Sequence, residues 1–121
     1  MPIDHAAVNV TDLQRSKAFY SDALKPLGFS LIYEAEGFLG FGDGQMPSFG
    51  VAQREPVGGG HIAIAAPDRS TVDAFYDAAM SAGGTDNGPP GVREDYHPTY
   101  YAAYVMDPDG NNLEAVVHTP E

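Results

Sequence analysis

Residues 61–84 read HIAIAAPDRSTVDAFYDAAMSAGG, and residues 5–28 read HAAVNVTDLQRSKAFYSDALKPLG. The two stretches are 56 positions apart (61 − 5 = 56), and in that register like falls on like. His5 meets His61, Ala7 meets Ala63 and Asp12 meets Asp68. Further on, Ala18-Phe19-Tyr20 meets Ala74-Phe75-Tyr76, Ala23 meets Ala79 and Gly28 meets Gly84. One register held over this span is an internal repeat, the mark of a unit that stacks against its own copy.

Each unit opens on a strand, predicted over Ile3–Val10 and His61–Ala66, and continues into a helix. In the second unit Val72, Phe75, Tyr76, Ala79 and Met80 recur at i, i+3, i+4, i+7 and i+8, a single buried stripe. Leu13, Tyr20, Leu24 and Leu27 make a looser stripe in the first. Thr11 with Gln14 matches a capping box, and Asp12 and Asp68 read as helix caps rather than catalysts. Gly28 and Gly83-Gly84 supply the helix stops.

Strands follow each helix: Phe29–Glu36, Phe38–Phe41 and Phe49–Gln53, then Tyr100–Met106 and Leu113–His118. The segment Asp86–Arg93, with Gly88-Pro89-Pro90-Gly91 inside it, reads as a loop. Asp107-Pro108-Asp109-Gly110-Asn111 is a turn. Gly58-Gly59-Gly60 is the hinge between halves and lacks the spacing of a phosphate loop. The fold class is therefore α+β, one domain of two tandem βαβββ modules, residues 1–57 and 58–121.

Composition narrows the function. The chain has 121 residues, 43% apolar and 19% charged, enough for a single core without staples. It contains no cysteine, which excludes disulfides, thiol nucleophiles and thiolate metal sites and fits a cytoplasmic protein. No apolar run approaches the ~20 residues of a membrane span, and Met1-Pro2-Ile3-Asp4-His5 has no basic leader region. Six Lys and Arg against 17 Asp and Glu leave a net charge of −11, which disfavours nucleic acid and anionic membranes. A cationic ligand would be attracted, although an acidic solubilising surface has the same composition.

Strand alternation sorts side chains by face. Ile62 and Ile64 belong under a helix, as do Val8 and Val10, so His61, Ala63 and Ala65 share the other face, as do His5, Ala7 and Asn9. In the last strand Leu113, Ala115 and Val117 point inward, opposite Glu114, Val116 and His118. His5, His61 and Glu114 thus project from the same kind of face, beside small residues that leave room for a ligand. Two imidazoles and a carboxylate suit Zn, Mn, Fe(II), Ni or Co, with positions left for substrate and water. The alternative is a pair of satisfied core or rim histidines and a solvated edge carboxylate.

The segments 3–12, Phe19-Tyr20, Leu27-Gly28-Phe29, His61-Ile62-Ala63-Ile64 and 107–114 together resemble the vicinal oxygen chelate superfamily. That group contains glyoxalase I, fosfomycin-resistance enzymes, extradiol dioxygenases and bleomycin-resistance proteins. The resemblance covers nearly the whole chain and implies paired modules curled into an open barrel, usually in a homodimer. It also implies metal ligation by His5, His61 and Glu114. Glyoxalase I has a fourth ligand on its fourth strand, where Gly50 stands here, so the resemblance leaves three ligands and argues against glyoxalase I activity.

The stretch 93–101 gathers Arg93, Tyr96, His97, Tyr100 and Tyr101. One reading makes His97 an acid/base group and Tyr96, Tyr100, Tyr101, Arg93 and Asn9 substrate contacts. The other makes the stretch an edge strand whose aromatics pack on the other module. Arg54 and Arg93 could hold an anion or pair on the surface. Two functions compete. The first is a divalent-metal enzyme (Fe, Mn, Zn or Ni) whose small substrate is chelated through two neighbouring oxygens, by lyase or isomerase, dioxygenase or thiol-transfer chemistry. The second is a metal-free binder of the bleomycin-resistance type, sequestering a small molecule in a dimer cleft.

Overall fold

The computed structural model describes residues 3–120; Met1, Pro2 and Glu121, which bound the expected modules, lie outside the described residues. The first half runs β1 (Ala6–Val10), α1 (Leu13–Ala23), a 3-10 turn (Lys25–Leu27), β2 (Ser30–Ala35), β3 (Phe38–Gly42) and β4 (Phe49–Gln53). The second runs β5 (His61–Ala65), α2 (Arg69–Ser81), β6 (Thr85–Val92), β7 (Tyr101–Met106) and β8 (Asn112–Val117). Each half forms its own four-stranded mixed sheet, ordered β1-β4-β3-β2 and β5-β8-β7-β6. β1 pairs with β4, and β5 with β8, in parallel; the other ladders are antiparallel. This is the expected α+β arrangement of two βαβββ units, and neither sheet is closed.

Two local readings are corrected. Of the stretch read as a loop at Asp86–Arg93, all but Arg93 lies in strand β6, whose pairing with β7 shifts register between Asp86 and Gly88 and again between Gly88 and Gly91. Pro89 and Pro90 cannot donate to a ladder, and they are tolerated because β6 is an edge strand with one partner only. The N-cap of α1 is Asp12 rather than Thr11: the Asp12 carboxylate accepts from the N–H of Gln14 and Arg15. The Thr11 N–H donates instead to Asp109, 3.1 Å away in the other half. Asp68 caps α2 as expected, accepting from Thr71 N.

The helices cover one side of both sheets, and the core fills the space between. Phe19, Tyr20, Leu24, Phe41, Phe75, Val72 and Leu113 are all at most 1% exposed. Each such side chain contributes roughly 1.5–3 kcal/mol by leaving water. Gly84, placed by the repeat opposite Gly28, lies where α2 meets its sheet: an added Cβ would sit 2.3 Å from Val105 Cγ1 and 3.0 Å from the Phe19 ring. No larger residue fits there without displacing both halves.

A buried polar network closes the seam between the halves. Asp107, 3% exposed, accepts from the Tyr20 hydroxyl at 2.7 Å and from Asn111 Nδ2 at 2.9 Å through Oδ2. Its Oδ1 accepts the N–H groups of Asp109 and Asn111. Asn111 Nδ2 also donates to the Asn9 carbonyl at 2.9 Å, tying the last turn to β1. Arg15 reaches Asp109 at 3.0 Å. Burial, with the Asp107 charge beside it, pushes the Tyr20 phenol well above its ordinary pKa and keeps it a donor. The glycine connector is stitched to the same turn: Gly59 N donates to the Gly110 carbonyl and Gly60 N to Asn111 Oδ1. Among the described residues no helix is long and apolar enough to cross a membrane.

Candidate functional site

On the faces turned away from the helices, the ladders align one row of side chains across each sheet. In the second half the row is Ala63 (β5), Glu114 (β8), Tyr104 (β7) and Gly88 (β6). His61, two residues before Ala63, projects from the same face and is 54% exposed, while Glu114 beside it is 2% exposed by side chain. β8 lies inside the sheet, so Glu114 is not the solvated edge carboxylate of the alternative reading.

A carboxylate this deeply buried needs donors on both oxygens. His61 Nε2 lies 2.8 Å from Glu114 Oε1, and the Tyr100 hydroxyl donates to Oε2. Burial first, then that bond to Glu114, raises the Tyr100 pKa, so the phenol keeps its proton at neutral pH. Tyr104 is raised as well, by burial and by the Glu114 charge.

Tyr100 also anchors a cluster of rings. His97 and His118 stack with centroids 5.1 Å apart, and Tyr100 meets both edge-on. Tyr96 lies 4.8 Å from Tyr100 by centroid. Thr99 N donates to His97 Nδ1, which makes Nδ1 an acceptor and leaves the ring proton on Nε2 for His118 Nδ1, 2.8 Å away. His97 and Glu114 share Tyr100 as a neighbour. Arg93 is held by the Pro89 carbonyl at 2.6 Å and stacks over Tyr104 at 5.3 Å. With Tyr96 and Tyr104 it lines a groove of about 670 Å³. Tyr101 faces the other way, its hydroxyl on Asp73 of α2 and its ring under Arg69. Asn9 Nδ2 donates to the Pro56 carbonyl.

The matching row of the first half is Ala7 (β1), Gly50 (β4), Gly40 (β3) and Tyr33 (β2). Gly50 takes the place of Glu114, and a Cβ there would lie 2.6 Å from the Phe38 ring. The aromatic ring fills the space a ligand side chain would use. His5 pairs with Asp4 at 2.7 Å and lines a cavity of about 550 Å³ on this face. It does not join His61 and Glu114: among the described residues no three metal-binding side chains of one chain stand together.

Tyr104 and His118 were not singled out from the sequence as site residues. Parity in the last strand puts His118 on the Glu114 face, whereas Tyr104 becomes visible only once the cross-strand register is known.

Residues 2–115 match the model of the Glyoxalase/Bleomycin resistance protein/Dioxygenase superfamily, and the chain belongs to it. Its structure is similar to that of a glyoxalase/bleomycin resistance protein from Albidiferax ferrireducens, with 31% identity, a TM-score of 0.85 and coverage of 96% of this chain and 98% of that one. The fold is shared with lactoylglutathione lyase from Agrobacterium tumefaciens, at 22% identity, TM-score 0.70 and coverage of 94% and 91%. It is shared too with the fosfomycin resistance protein FosX from Mesorhizobium loti, at 21% identity, TM-score 0.68 and coverage of 95% and 90%. No curated protein matches the chain.

Proposed function

We propose that the chain is a divalent-metal enzyme of this superfamily and works as a homodimer, with His61 and Glu114 of one protomer joined by His5 of the other. The reading is carried by one observation: a buried carboxylate and an imidazole 2.8 Å apart on an open face, two donors already turned toward each other. Carboxylate and imidazole suit a borderline divalent ion, and a third donor is needed to complete a three-ligand centre. His5 holds the matching place in the first half but stands apart within its own chain, so a second copy must supply it. The ion, when bound, supplies Lewis-acid stabilisation of negative charge on a substrate bound through two neighbouring oxygens.

The remaining work belongs to the chain. Tyr100 donates to Glu114 Oε2 and leaves Oε1 facing His61, so one carboxylate oxygen is free to turn to an ion while the other stays anchored. Tyr104 and Arg93 line the polar wall where a substrate oxygen would lie. With no side chain at Gly50, three protein ligands leave positions open for substrate, as lyase, oxygenase and thiol-transfer chemistry all require.

The test is metal content by mass spectrometry, first in the wild type and then in His5→Ala, His61→Ala and Glu114→Ala. Near one ion per chain in the wild type, lost in each variant, is the expected result. Co-expressed His5→Ala and His61→Ala chains should recover about one ion per mixed dimer, because one cleft keeps all three ligands. No metal in the wild type after supplementation with Fe(II), Mn, Ni and Zn overturns the reading in favour of a metal-free binding protein. Loss without recovery in mixed dimers overturns the shared centre.

A further inference from the structure

The cavity on the first half's open face differs in kind from the ionisable face of the second. Its volume is about 550 Å³, within the range of small-molecule sites, and its wall is built by Ile32, Tyr33, Phe38, Met46, Pro47 and Phe49. Tyr33 is 51% exposed and Met46 78% exposed, so apolar surface is held open to water on this face. The backbone is shaped to make the wall. At Gly40 a Cβ would sit 2.8 Å from Pro47 Cβ, and at Gly42 it would sit 2.6 Å from the Met46 carbonyl. These glycines let the segment carrying Met46 and Pro47 close down on β3. No Lys or Arg lines the cavity; its ionisable linings are Asp4, His5 and the Tyr33 phenol.

We infer that this cavity receives an uncharged, apolar body of aromatic-ring size carried by the substrate, beside the oxygen pair that, in the proposed dimer, His61 and Glu114 of the other protomer address. This inference rests on the metal-dependent reading for the oxygen pair alone; the apolar site stands on its own lining. An anionic tail, whether the carboxylates of a thiol-peptide conjugate or a phosphonate, meets no cation in this cavity and a carboxylate at Asp4. Arg93, held by Pro89 and Tyr104, lines the groove of the second half and not this cavity. Phe38 is the specificity-determining residue, because its ring covers Gly50 and sets the floor on which the apolar body lies.

The experiment has two arms. In metal-free protein, 2-naphthol serves as a neutral probe without an oxygen pair, followed by NMR. Intermolecular NOEs to Phe38 and Met46, and binding weakened several-fold in Met46→Ser, are expected. Met46 is a surface residue, so that variant keeps the fold, whereas Phe38→Ala is read only after its spectrum shows a folded chain. In metal-loaded protein, 4-tert-butylcatechol should bind at least about tenfold tighter than catechol, given the transfer of its butyl carbons out of water. Phe38→Ala should shrink that ratio while metal content stays unchanged. Equal affinity for the two catechols, tighter binding of S-lactoylglutathione, or no 2-naphthol contact at Phe38 and Met46 overturns the inference. A metal-free wild type that still binds 2-naphthol at these residues supports the apolar site while the metal reading fails.

Discussion

The row Ala7, Gly50, Gly40, Tyr33 and the row Ala63, Glu114, Tyr104, Gly88 occupy the same places in two copies of one fold, with different chemistry. Both begin with an alanine two residues after a histidine. The first then has two glycines, covered by Phe38 and Pro47; the second has a buried acid bonded to a histidine and a tyrosine. The helix sides show no such divergence: Phe19 and Tyr20 in one half, Phe75 and Tyr76 in the other, hold the repeat where packing demands it. The repeat is therefore kept where the halves pack and lost on the open faces of the sheets.

The comparison can be broken most severely at the seam. Asp107→Ala strands the Tyr20 hydroxyl and an Asn111 amide without their buried acceptor. The expected cost is about 3–5 kcal/mol, since a buried charged hub is lost with its partners left behind. Thermal unfolding should show a drop in Tm of roughly 10 °C or more, and retention of the wild-type Tm would mean the two halves hold together by apolar packing alone.

A second change makes the first row imitate the second. Gly50→Glu drives a Cβ into the Phe38 ring and should cost about 1–3 kcal/mol by overpacking. Adding Phe38→Ala opens the space, so the double variant should be more stable than the sum of the two single changes. A chemical-denaturation double-mutant cycle measures that coupling, and strict additivity would mean the ring does not occupy the site of the absent side chain.

The smallest change tests the anchor on the acid. Tyr100→Phe removes one hydroxyl from Glu114 while keeping the ring among His97, His118 and Tyr96. Metal affinity, by competition with a chelator, should fall about tenfold, with about 1–3 kcal/mol lost from stability because Oε2 is left buried without its donor. Unchanged affinity would reduce Tyr100 to a packing residue.

Much of this was legible in the chain itself. The 56-residue offset exposes the two βαβββ units because helix stripes and strand parity survive in both copies. Parity also puts His61 and Glu114 on one open face, where they lie 2.8 Å apart, but it does not reveal that His5 stands apart from them. β6 was hidden because an edge strand tolerates prolines and register slips that erase the alternating pattern. The start of α1 offered two caps, Thr11 and Asp12; Asp12 takes the role by accepting from Gln14 and Arg15, while the Thr11 N–H goes to Asp109, nearly a hundred positions away. The roles of Tyr104 and the Asp107 hub were illegible for the same reason. They depend on which strand lies beside which, and local sequence does not record that.

The seam also sets an order on folding. Asn9 is joined to Asn111 and Tyr20 to Asp107, sequence separations of 102 and 87. On a ribosome, β1 and α1 emerge long before the turn that completes them, so the first half waits with its buried tyrosine unmatched until residues 107–111 have been made. High contact order of this kind slows folding and prolongs the exposure of unpaired strand edges. These long-range hydrogen bonds thus become a timing constraint: a change at the 107–111 turn removes the partners for which β1 and α1 have waited.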